Sequence, residues 1–292
     1  MATTYSHYHH LQKLNLFMFP TKKIPFVLAG AALLSFGTTL SNISSANAAS
    51  LVNSAVIHIG VDDNSLFGIN NIVNFLQGDG RFSSISNIDV DASGVPTLAT
   101  LSGFESVLVV TDNRVGTITG GGFGTQLGNI LDDYVIAGGR LVLGAFSGDA
   151  GIGIDGDILN LAPYIPQFGN APAGNLDFST ANLSNPIFNG VNSFTSDFAS
   201  IVNLSANGIL LASYDSGTVG VATVANNSII FINAFPGNES DFSNGSDFGT
   251  LFANALAAQP RDVPEPTSIL GLLAMSAVAT TGLGKFKKKN QV

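Results

Sequence analysis

Short apolar strands alternate with segments of helical periodicity through the first half of the body, and this restricts the fold more than any other feature. Ala55–Gly60, Ile85–Val90, Ser106–Thr111 and Arg140–Gly144 are each five or six residues long and rich in Val, Ile and Leu, the length and content of strands. Val107–Val110 has no polar residue, as expected of a strand buried on both faces at the centre of a parallel sheet. Between the strands, Asn70–Leu76 places Ile72, Val73, Phe75 and Leu76 at helical spacing and stops at Gly78. Thr125–Ala137 does the same with Leu127, Ile130, Leu131, Tyr134 and Val135 before Gly138 and Gly139. Strand, helix, strand in repetition implies parallel strands joined by right-handed crossovers. Residues 148–198, rich in Gly, Asn and Pro, read as loosely structured, with one short helix at Asp157–Leu161. Three more strands follow at Gly208–Tyr214, Val219–Val224 and Ser228–Asn233, the last two a hairpin through Asn226 and Asn227. A helix at Ser246–Ala258 closes the pattern. The expectation is one α/β domain over residues 49–258, with a mostly parallel sheet, helices on both faces and a late β-hairpin.

Charge divides the chain into three. Residues 49–262 hold nineteen acids, four arginines and no lysine, a formal −15. Residues 1–48 carry three lysines and no acid, and residues 263–292 carry four lysines and Glu265. A lysine-free body of that charge repels phosphate backbones, which excludes nucleic-acid binding. The absence of cysteine excludes disulfides, thiolate catalysis and thiolate metal sites.

The two ends read as addresses. Lys22 and Lys23, the apolar run Ile24–Leu40 and the small-x-small site Ala46-Asn47-Ala48 make a secretory signal peptide over residues 1–48. Signal peptidase would cut after Ala48 and leave Ala49 as the first residue. At the other end, a linker over 259–266 contains Val263, Pro264, Glu265 and Pro266. The uncharged stretch Thr267–Leu283 follows, giving a membrane helix over 267–284 at the short limit for spanning a bilayer, and then a basic tail over 285–292. Lysines at 285 and 287–289 belong on the cytoplasmic side, so the body is expected outside the membrane.

Pro-Glu-Pro, an apolar helix and a basic tail in that order resemble the PEP-CTERM sorting signal, and residues 263–274 resemble its cyanobacterial form. The resemblance implies recognition by an exosortase-type membrane protease near Pro264–Pro266 and a link to exopolysaccharide and the cell envelope. It also implies a protein held by its C-terminal helix outside the inner membrane, or released to the envelope or cell surface after processing.

The body resembles the class I glutamine amidotransferase-like fold, a flavodoxin-like sheet with a β-hairpin before its last helix. Gly144–Gly148 lies after the fourth strand, where that family carries a Gly-x-Cys-x-Gly nucleophile elbow. Phe235-Pro236-Gly237 lies where it carries His-Pro-Glu. Asn185–Val191 resembles a His-Pro-Ile segment of trehalose-utilisation-like members, with Asn185 in place of the histidine. The resemblance therefore puts Phe146 at the nucleophile position, Phe235 at the base and Gly237 at the orienting acid. Phenylalanine neither attacks a carbonyl nor accepts a proton, so the resemblance implies a scaffold without its triad.

Other polar residues offer weaker chemistry. The body's single histidine, His58, lies inside the first strand, and Ser147 follows the elbow position. Gly120–Gly124 lacks the lysine of a phosphate loop, and no twelve-residue calcium loop ending in Glu can be drawn around Asp155-Gly156-Asp157. Asp62 and Asp63 follow the first strand, Asp112 the third and Asp149 the fourth. In a doubly wound sheet those strand ends lie side by side where ligands bind, making these aspartates a candidate binding edge and a candidate Ca²⁺ site. The readings carried forward are a non-catalytic domain binding a glycan, a cation or an envelope partner, a hydrolase of envelope sugars or peptides using Ser147 or an acidic pair, and a structural matrix component. A hydrolase needs two catalytic groups within hydrogen-bond reach in a cleft. A binding module shows an acidic or aromatic rim without such a pair, and a matrix protein a large exposed apolar patch.

Overall fold

β1 (Val52–Ile59) lies between β2 (Phe82–Asp89) and β3 (Ser106–Thr111), parallel to both. A computed structural model describes residues 51–112, 122–238, 242 and 246–258, all within the unit Asn47–Val292. β4 (Arg140–Leu143) pairs with β3, and β9 (Ile229–Ile232) with β4, again parallel. β8 (Val219–Thr223) and β7 (Ile209–Ser213) complete the far edge antiparallel, giving the order β2-β1-β3-β4-β9-β8-β7. The chain forms a mixed α/β domain on a mostly parallel central sheet, and the β8–β9 hairpin turns through Asn227 at φ +56°.

Alternation along β1 and β3 feeds two apolar layers. Val56, Leu108 and Val110 face α1 (Asp63–Gly78) and α5 (Phe248–Ala257). Ala55, Ile57, Val107 and Val109 face the opposite layer. That layer holds two single-turn helices, α2 (Val90–Ser93) and α3 (Leu98–Leu101), and the longer α4 (Phe123–Ile136). α1 begins seven residues before its apolar stripe suggests, because the Asp62 carboxylate accepts the Ser65 amide at 2.7 Å and caps it. Its C-terminal end is where expected, with Asp79 closing the turn beyond Gly78.

Residues 148–204 differ from expectation. They contain β5 (Tyr164–Asn175) and β6 (Thr195–Leu204), an antiparallel ribbon of twelve and ten residues separate from the main sheet. Proline, glycine and a register break between Pro166 and Asn170 hide β5 from pattern reading. β6 does not alternate cleanly, since Ala199, Ser200 and Val202 are all buried. The Asp157–Leu161 helix is a 3₁₀ turn, Asp157–Asn160.

Candidate functional site

The chain leaves β4 through a tight elbow. The Gly144 amide donates to Val109 O at 2.9 Å and the Ala145 amide to Ala234 O at 2.8 Å, so the sheet grips the backbone up to that point. Phe146 then takes φ +65°, in the left-handed region. That conformation costs roughly 1–2 kcal/mol for a residue with a Cβ. The backbone turns there, and the next helical element is the 3₁₀ turn Asp157–Asn160.

The side chain on this elbow faces carbon. The Phe146 and Phe235 rings are both buried, with centroids 4.9 Å apart. Phe198 from β6 adds a third ring, 6.1 Å from Phe146 and 6.4 Å from Phe235, edge-on to the latter. Phe198 is 42 % exposed, so the cluster opens to solvent on its outer side. Gly237 follows from the same packing, since a Cβ there would stand 2.3 Å from the Phe235 ring. Helix α1 closes the turn from below, where a Cβ on Gly68 would meet the Gly237 carbonyl at 2.4 Å. Ring, turn and helix thus leave no room for an acid at 237.

Ser147 is fully buried, and its hydroxyl donates to the Gly144 carbonyl. Its own carbonyl accepts from the Tyr164 phenol at 3.1 Å. His58 is 2 % exposed, and its Nδ1 has no hydrogen-bond partner among the described residues. Burial lowers its pKa, against an upward pull from Asp89 and Asp91. Among the described residues no hydrogen bond joins His58 to Ser147.

The predicted acidic edge separates into local roles. Asp62 caps α1, and Asp63 is exposed in its first turn. Asp112 follows β3 and donates its amide to Ile59 O at 3.1 Å. Asp149 is buried at the junction of elbow and ribbon, bridged to Gln167. Burial raises its pKa. Asp149 lines a cleft of about 400 Å³ with Gly122, Thr125 and Asp155 beside the start of α4. Among the described residues no three His, Asp or Glu converge to hold a metal ion, so Asp62, Asp63, Asp112 and Asp149 do not form the one ligand set expected for Ca²⁺. Asp62 serves as a helix cap and Asp149 sits at the ribbon junction.

Asn185 is likewise occupied locally. Its side chain caps the 3₁₀ turn Pro186–Phe188 through the Ile187 amide at 3.2 Å. Ile187 and Phe188 are buried, and Asn254 of α5 donates to Ile187 O and Asn189 O, both at 2.8 Å.

Sequence reading missed Phe198, Ser200 and Asn233. Asn233 accepts from the Ser200 amide at 2.7 Å and donates to Ser200 O at 2.9 Å and Val219 O at 2.8 Å. Ser200 Oγ accepts the Phe146 amide at 2.7 Å, tying the ribbon to the elbow. Asn233 at the end of a strand was the only available signal, since Phe198 closes the segment read as loose and Ser200 falls just beyond it, in a stretch assigned to no element. Ala46, Ala48, Ala49, Gly120, Gly121, the motif Val263–Pro266, the helix over 267–284 and the tail over 285–292 lie outside the described residues. Among the described residues no helix is long and apolar enough to cross a membrane.

No family model matches the chain, and no curated protein matches it in sequence. Solved structures do. The cytoplasmic protein STM1381 of Salmonella typhimurium LT2 superposes with a TM-score of 0.53 at 11% identity, over 71% of this chain and all 100% of its own. The likeness is one of fold. A second cytoplasmic protein of Salmonella typhimurium, STM3548, gives 0.50 at 11% identity, over 72% of this chain and 100% of its own. A ThuA-like protein from Bacteroides uniformis gives 0.49 at 13% identity, over 70% and 89%.

Proposed function

We propose that the chain is an exported, PEP-CTERM-sorted envelope protein whose body is a non-catalytic, amidotransferase-like domain that binds a surface glycan. The observation that carries this is Phe146. It occupies a strained elbow at φ +65°, and its ring packs on Phe235 instead of presenting a nucleophile to a base. The parallel order β2-β1-β3-β4-β9 supports the flavodoxin-like reading, in which the strand ends beside the elbow form the ligand-binding edge.

The rim's chemistry favours a sugar. Phe198 presents an exposed ring, and beside it Asp197 and Asn238 are joined by a 2.8 Å hydrogen bond at the surface. A pyranose has an apolar C–H face to stack on a ring and a hydroxyl edge to meet such groups. Aromatic walls with a few placed polar groups are the usual lining of small-ligand sites. The hydrolase reading draws no support from Ser147, which is buried and bonded to Gly144 O.

Affinity electrophoresis of the full chain through gels containing the producing cells' extracellular polysaccharide tests the proposal. Wild type should be retarded, and Phe198→Ala should lose about tenfold in affinity or more, the scale of one aromatic anchor. Equal retardation of the two proteins would remove Phe198 from the site. The address is tested by intact mass of the native protein, which should start at Ala49 and end near Val263–Pro266. A dominant species retaining Lys285–Lys289 would count against processing.

A further inference from the structure

Both ends of the described body leave at the N-terminal edge of the parallel sheet, opposite the elbow. β1 starts there, with the Val52 amide on Arg81 O just ahead of β2. α5 ends there, its Leu256 carbonyl accepting from Nη1 of Arg140, the first residue of β4. The same edge carries a groove of about 750 Å³ between the end of α4, the start of β7 and the β8–β9 turn. Val135, Ile136, Leu161, Ile209, Val224 and Ile229 are among its lining, and none of the residues lining it is charged. Ile136 is 70 % exposed and Ile209 44 %. Such a surface is unusual on a body with nineteen acids and calls for a partner.

The length of chain beyond α5 says which partner. Residues 259–266 separate the body from the uncharged stretch Thr267–Leu283. Eight residues span at most ~28 Å when fully extended. The eight residues of β1 alone run ~26 Å from edge to edge, before the loops and rings of the elbow are added. A tether leaving from the N-terminal edge lets that edge meet the bilayer directly, whereas turning the Phe198 rim to the bilayer would use the whole extended tether along the side of the body.

We infer that the groove around Ile136 and Ile209 rests on the membrane interface, so that the domain stands upright with its aromatic rim facing outward. This rests on the anchored form of the proposed function. Asp132 and Asp133 lie one turn back from Ile136, which suits zwitterionic headgroups better than anionic ones.

The chain has no tryptophan, so one introduced indole reports alone. The signal-processed chain, Ala49–Val292 with its C-terminal stretch intact, is reconstituted into phosphatidylcholine vesicles whose acyl chains carry bromine near the headgroup, as Ile136→Trp, Ile209→Trp and Phe168→Trp. Phe168 is 80 % exposed on the ribbon beside the elbow and serves as the far probe. Vesicle flotation is measured on the same samples. Flotation with strong quenching at 136 and 209 and none at 168 is expected. Flotation with equal quenching, or none, at all three positions would overturn the orientation and leave the anchor standing. Failure to float would overturn anchor and orientation together. Blue-shifted emission at 136 without lipid, dependent on protein concentration, would put a second copy of the chain in the groove and overturn the proposal.

Discussion

The two sides of the β4 elbow are built from opposite chemistry. In front, Phe146, Phe235 and Phe198 meet as bare rings. Behind, Ser200 and Asn233 form a fully buried polar pin, and the Tyr214 hydroxyl donates to the Asn233 carbonyl at 2.7 Å. A strained backbone persists only where its surroundings over-determine it. Here the pin supplies that constraint, and the rings pack against one another on its other side. Each side can be attacked independently.

The pin should give the largest effect. Asn233→Ala removes three hydrogen bonds, two of them fully buried, and strands the Ser200 amide and two carbonyls. The expected loss is about 3–5 kcal/mol, or on the order of 10 °C in melting temperature for a domain of this size. A urea titration showing less than about 1 kcal/mol would mean that the ribbon holds the elbow without Asn233.

The front should respond next, in a pattern that separates packing from strain. Phe146→Ala opens a cavity among the rings and should cost about 3 kcal/mol. Phe146→Gly opens the same cavity but removes the left-handed penalty, so glycine should be more stable than alanine here by ~1 kcal/mol. Alanine at least as stable as glycine in thermal melts would show that the elbow relaxes once the ring is gone. Phe198→Ala, at a partly exposed ring, should cost only about 1 kcal/mol. That makes it the variant in which lost glycan affinity is not mistaken for unfolding.

The smallest effect is in acid. Burial lowers the His58 pKa below its ordinary 6.5, so between the lowered value and 6.5 the unfolded chain binds more protons than the folded one. Stability should therefore fall as the pH drops below 6.5, and His58→Leu should flatten that slope. An unchanged slope in pH-dependent denaturation would assign the acid sensitivity to other groups.

How much of this was legible varies along the chain. β3 has the bounds its apolar run suggests, and β4 and the hairpin strands agree within two residues, because strands buried on both faces leave an unbroken apolar signature. Phe146 and Phe235 could be placed from short motifs after such strands. Phe198 could not, because β6 is covered unevenly and does not alternate, while β5 carries Pro166, Pro172, Gly169 and Gly174. The acids were legible as strand-end residues but not in their roles. Asp62 serves a helix cap and Asp149 a ribbon junction, choices set by backbone amides that composition does not reveal.

The central claim is that this elbow carries no reacting group. Incubating the full chain with a fluorophosphonate probe, followed by intact-mass analysis and an assay for ammonia released from glutamine, tests it most directly. The account predicts no added mass and no ammonia, because Ser147 is buried on Gly144 O and the Phe146 and Phe235 side chains that meet beside it are bare rings. An adduct on Ser147 that disappears in His58→Gln would contradict it and restore the hydrolase reading.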